Sequence, residues 1–197
     1  MSRVWSVAVI GALLAACGSE ASAPSAPFDV PVFSHVSDAA DEANGGNFGT
    51  ALSGDEEAPA RATRARGNAT FQLNAAGDAL TYRLIVANIE NAFMAHIHQG
   101  PAGINGPIVV WLYPSTAPVP GPVGQGRIDG VIAEGTISAA NLVGPLVGQD
   151  LSALVADLKA GNAYVNVHTN DGVAPANTGP GDFPGGEVRG QIEHRGH

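Results

Sequence analysis

The chain has 197 residues, carrying nine basic against eighteen acidic side chains for a formal net charge of −9. A surface of that sign repels polyanions, so nucleic acid is excluded as a partner. The single cysteine, Cys17, excludes an internal disulfide, a thiolate zinc ribbon and thiol catalysis in the domain, leaving stability to a packed core.

In chain order, residues 1–17 read as a secretory signal: one basic residue, an apolar stretch from Val4 to Leu14, then small residues. The stretch is too short to span a membrane convincingly. Leu14-Ala15-Ala16-Cys17 resembles a bacterial lipobox, so Cys17 is the expected lipidation site and the membrane the first expected partner. Residues 18–46 keep no period, and their prolines oppose helix and inner strand alike, which predicts a flexible Ala/Ser/Pro-rich and acidic tether. This layout places the protein at a bacterial cell envelope, with the domain facing periplasm or exterior. An envelope or extracellular protein is the second expected kind of partner.

Residues 47–194 have the length of one domain, followed by a tail at 195–197. Period-two alternation predicts strands over Phe48–Ser53, a hairpin turning near Ala76-Gly77-Asp78, and strands over Phe93–His98, Ile108–Tyr113, Gly130–Ile137, Ala163–Thr169 and Gly186–Glu193. Leu151, Leu154, Val155 and Leu158 instead follow helical spacing, with Asp150 as candidate N-cap and Gly161 at the exit. The expected fold is all-β, a Greek-key β-sandwich or barrel of the immunoglobulin or superoxide-dismutase kind, with one short helix.

Alternation also sorts the chemistry-bearing residues. His96 and His98 share one strand face opposite Ala95 and Ile97; Tyr164, Asn166 and His168 share another; Glu187, Arg189 and Gln191 a third. Asn, Arg, Gln and His make several directed hydrogen bonds each, so a structural polar cluster of Asn166, Glu187, Arg189 and Gln191 with the histidines is the first reading. In it Glu187 pairs with Arg189 or a histidine. The second is a copper or zinc site on His96, His98 and His168, with a fourth position for Glu187, water or substrate.

The remaining groups have weaker signals. Asp55, Glu56 and Glu57, beside a proline, read as a solvated loop in which nothing raises one pKa against another. His194 and His197 read as solvated, and His35 lies in the tether. No nucleophile elbow or phosphate loop is present, so no catalytic residue is expected.

Six blocks, "FGTALSGDEEAPA", "GNATFQL", "LTYRLIVANI", "AHIHQGPAGINGPIVVWL", "GNAYVNVHT" and "PGGEVRGQI", occur in the order of the CHRD domain, which the region from Asn47 to His194 resembles throughout. The family's opening block has a Gln-Glu pair before Val-Pro, and Asp55 to Pro59 is a looser version of it. The resemblance implies a mainly β domain used outside the cell, with no settled enzymatic activity. Growth-factor antagonism does not carry over, because the cysteine-rich modules that accompany the domain in chordin are absent. "AHIHQGPAGINGP" is also similar to the His-x-His strand and glycine loop of copper–zinc superoxide dismutase. That enzyme's disulfide and bridging histidine have no counterpart here, so the likeness is one of fold alone.

Overall fold

The computed structural model describes residues 46–115 and 118–195. The expected signal peptide, Cys17, His35, nearly all of the expected tether and His197 lie outside the described residues.

Among the described residues, alternating apolar residues build nine strands and helical spacing one α-helix: β1 (Asn47–Ser53), β2 (Arg66–Leu73), β3 (Leu80–Glu90), β4 (Ala92–Gln99), β5 (Ile108–Tyr113), β6 (Arg127–Ile137), α1 (Leu151–Lys159), β7 (Ala163–Thr169), β8 (Val188–Gln191) and β9 (Glu193–His194). All pairings are antiparallel, in the order β5-β4-β7-β8-β1-β2-β3-β6, with β9 also pairing β1. Non-consecutive neighbours, β7 beside β4 and β1 beside β8, make this more than a simple meander. The two edge strands, β5 and β6, approach one another, so the sheet is nearly closed into a barrel. Among the described residues, the all-β class and barrel-like closure are as the alternation predicts, and the single α-helix is as the helical spacing predicts.

Local chemistry explains the turns and the exceptions. The β2–β3 hairpin runs from Arg66 opposite Ala87 to Leu73 opposite Leu80, and Asn74 closes it, its Oδ1 accepting from the Asp78 and Ala79 amides. Gly77 there takes φ +74°, where a side chain would be strained. α1 buries Leu151, Leu154, Val155 and Leu158, the four residues of the helical spacing. Asp150 stands at the N-cap position, but its side chain makes no capping hydrogen bond. The last expected strand, Gly186–Glu193, begins at Val188 instead and is divided into β8 and β9. Gly186 adopts φ +125°, a conformation outside any strand of L-residues.

One side of the sheet packs the apolar core, in which Phe48, Leu84, Ile97, Leu112, Leu154 and Val165 are each almost wholly enclosed. Tyr82 brings a polar atom to this region, its hydroxyl donating to the Leu112 carbonyl at 2.9 Å. That bond joins β3 to β5, which are not neighbours in the sheet. Removing it with Tyr82→Phe strips a buried hydrogen bond and is expected to destabilise the fold by about 1–2 kcal/mol, measured by urea denaturation.

Candidate functional site

β4 and β7 pair without interruption from Met94 opposite His168 to Gln99 opposite Ala163. On that register Ala95, Ile97, Val165 and Val167 enter the apolar core, and His96, His98, Asn166 and His168 emerge together on the other face. That second face is not solvated. His96 is 1 % exposed, His98 8 % and His168 6 %. Loops after β4 and before β8, together with Trp111 on β5, cover it.

The three imidazoles converge, one ring nitrogen from each lying within 4.8 Å of the others. His96 Nδ1 stands 3.1 Å from His168 Nε2. Two nitrogens bound at about 2.0–2.1 Å to one tetrahedral ion would lie about 3.3–3.4 Å apart, so this spacing is close to that of a ligand pair. Backbone carbonyls hold two of the rings from behind: His98 Nδ1 donates to Gly106 O at 2.8 Å, and His168 Nδ1 to Pro184 O at 2.9 Å. Each bond fixes the tautomer that leaves Nε2 unprotonated, with its lone pair toward the site. Trp111 sets its ring edgewise on His96, 4.2 Å between centroids, and Tyr164 stacks on His98 at 4.9 Å.

Burial keeps all three rings neutral. It pulls His96 down to about 2, with the neighbouring histidines adding to the shift. It pulls His168 down to about 4, against the raising effect of the Pro184 carbonyl. His98 is lowered by burial as well, with hydrogen bonds to Gly106 and Asn166 opposing and the charge of Arg189 assisting.

The rest of the polar stripe supports this arrangement. Arg189, 1 % exposed, lies flat on the Tyr164 ring with its guanidinium carbon 3.4 Å from the centroid. It donates to Asn105 Oδ1, Pro101 O and Ile104 O, which ties the glycine loop after β4 against the sheet. Gln191 Nε2 adds bonds to Gly100 O and Gly161 O. Gly106 in that loop lies so close to the Gln99 carbonyl that a Cβ would collide with it.

Two expectations about carboxylates are overturned. Glu187 pairs with neither Arg189 nor a histidine; Thr63 Oγ1, Thr169 Oγ1 and the Gly181 amide take up its two oxygens. The turn at Gly186 delivers it to those donors instead. Glu57 is not part of a solvated loop. Asp55 and Glu56 are exposed, but Glu57 is 7 % exposed, and burial raises its carboxyl to about 7 against the lowering by Arg189 and Arg61. A Cβ on Gly186 would strike both Glu57 Oε1 and Asn166 Nδ2, which places Glu57 beside the site face. Its only sequence signal was its place in the opening block. Trp111 and Met94, also on this face, carried none, because apolar types on a strand read as core. His194 is exposed as expected and sets its ring edge against Phe48.

His96 Nε2, Asn166 Oδ1, Glu57 Oε1 and Arg61 Nε are all buried without a hydrogen-bond partner. An orphaned buried polar atom costs about 1–3 kcal/mol. A cluster built only to hold the fold would leave few of them, whereas a site that receives an ion, water or small ligand must leave them free.

Acid tests the buried histidines. The unfolded chain protonates them near 6.5 and the folded chain does not, so their contribution is present above pH 6.5. It is lost as the pH falls toward about 4 for His168 and about 2 for His96. Glu57 has the opposite sign: raised from 4.5 to about 7, it favours the fold fully below pH 4.5 and loses that effect as the pH rises through 7. Glu57→Gln in chelator-treated protein is therefore expected to steepen the stability loss between pH 7 and 4.5 by about one proton, ~1.4 kcal/mol per pH unit. Urea midpoints across that range check it, and an unchanged slope would mean that Glu57 is ionised in the fold.

A family model described as the CHRD domain matches residues 48–192. No curated protein and no solved structure gives a match.

Proposed function

The chain belongs to the CHRD-domain family, and from that premise we propose an exported, lipid-anchored, non-enzymatic binding module of the bacterial cell envelope whose domain holds a copper or zinc ion on His96, His98 and His168. The observation that carries the reading is the convergence of three buried, neutral imidazoles, two of them held from behind by backbone carbonyls. Neutral imidazole is the ligand form, and a carbonyl on the second ring nitrogen is the support that ligating histidines usually have. In the ion-free protein the 3.1 Å contact between His96 and His168 is an N–H···N hydrogen bond. For an ion to bind at His96 Nδ1, the ring's proton moves to its unpartnered Nε2, and the imidazole stays neutral. The orphaned atoms nearby favour this reading over a purely structural polar cluster.

Export and anchoring rest on Leu14-Ala15-Ala16-Cys17 and on the proline-rich, acidic segment that follows. A lipidated Cys17 would hold the domain near a membrane, within reach of envelope or extracellular proteins. The acidic surface suits that address, since it neither adheres to anionic lipid nor binds nucleic acid.

Metal content of the untagged full chain, followed by titration with copper and zinc, tests the site. Stoichiometric binding is expected, with His96→Ala and His168→Ala each weakening it by about 100-fold or more. No stoichiometric copper or zinc, with affinity unchanged in both variants, would overturn the reading. The anchor is tested separately: Cys17→Ser is expected to abolish partitioning with membranes, and partitioning that persists after signal processing would exclude lipidation.

A further inference from the structure

Three nitrogen donors do not complete a tetrahedral set, and the face that carries them also holds a thioether, that of Met94. From Met94 onward the β4–β7 register is regular, with Met94 opposite His168 and His96 opposite Asn166. Ala95 and Ile97 are wholly buried in the apolar core, so Met94 emerges with His96 and His98 on the site face. Directly opposite residues of an antiparallel pair share a face with Cβ atoms about 4.5–5.5 Å apart, which makes Met94 the cross-strand neighbour of His168. Met94 is half-buried, whereas the three imidazoles are buried.

Charge narrows the choice of ion. None of the three donors is anionic. Glu187, the fully buried carboxylate of the stripe, is already engaged by three donors elsewhere, and Glu57, the buried carboxylate beside the face, has its charged form disfavoured by burial. Arg189, stacked on Tyr164, which stacks in turn on His98, sets a positive charge beside the imidazoles. Enclosing a doubly charged ion among neutral ligands beside a guanidinium costs far more desolvation and repulsion than enclosing a singly charged one. Of copper and zinc, only copper has a stable 1+ state, and a soft thioether selects for it.

We propose that the ion is copper in its 1+ state, bound by His96, His98 and His168 with the Met94 thioether as the fourth donor. This inference rests on the ion-site reading above. Met94 binds from the half-open side, so copper enters and leaves past the sulfur while the imidazoles stay fixed by their carbonyls.

The test uses the full chain carrying Cys17→Ser, which removes the thiol that would compete for copper. Met1 and Met94 are then the only sulfur-bearing residues. Affinities for Cu(I), under anaerobic reducing conditions with a chromophoric chelator, are compared with those for Zn(II). Cu(I) is expected to bind at least 100-fold more tightly. Met94→Leu, which conserves volume, is expected to weaken Cu(I) by at least 10-fold and leave Zn(II) unchanged. X-ray absorption of the Cu(I)-loaded Met94-containing chain is expected to show one sulfur among nitrogen scatterers, a readout independent of how the variant folds. Tighter Zn(II), equal or no loss in Met94→Leu, or a first shell without sulfur would overturn the inference. If either ion still binds in a histidine-dependent way, the proposed function survives that result; if neither binds, both fall.

Discussion

The site face depends on a buried guanidinium. Arg189 is almost fully removed from water, and a charge so placed must find donors' partners and a polarizable surface within the protein. It finds both: three carbonyl or amide oxygens of residues 101–105, and the face of Tyr164. Those contacts hold the glycine loop in place, and the loop in turn presents the Gly106 carbonyl to His98 and its amide to the Tyr164 hydroxyl. Asn105 passes the constraint on to the Ala58 carbonyl, next to Glu57. A single cation thus orders segments from three parts of the chain around the imidazoles. Lysine, with its point charge and three donors, could not satisfy the same flat, forked arrangement.

Two acidic residues show how little residue type alone determines. Glu187 has no exposure, yet three donors satisfy it, so burial has a cheap solution there. Glu57 has nearly the same burial but an oxygen without a partner, and its proton affinity rises accordingly. The difference is in the loops. The segment before β8 supplies the Gly181 amide to Glu187 and, through the bare Cα of Gly186, leaves room beside Glu57.

Much of the architecture was legible in the sequence because it is periodic. Alternation placed Ala95 and Ile97 against His96 and His98, and helical spacing found the four buried residues of α1. The pairing of β4 with β7 brings the expected histidines together. What could not be read was contributed by loops, where no period links cause to effect. Thr63 binds Glu187 across 124 positions of sequence. Glu57 sat beside two exposed acids and a proline and looked like them. Met94 and Trp111 were hidden for a different reason: on a strand, an apolar residue facing an enclosed polar site has the same signature as one facing the core. The start of β8 was misplaced because Gly186 reads as ordinary strand glycine until its φ is known.

The strand pair β4–β7 separates two interiors, one apolar and one polar, with a side chain of each kind at alternate positions. Most domains have water on the second side, and water forgives a slipped strand. Here neither side does. Inserting or deleting one residue between Met94 and Gln99 would send alanine and isoleucine among the polar groups and imidazoles into hydrocarbon, failing on both faces at once. The segment should therefore tolerate exchanges of residue far better than changes of length, and length variation in this domain should be confined to the loops that the sheet does not have to keep in phase.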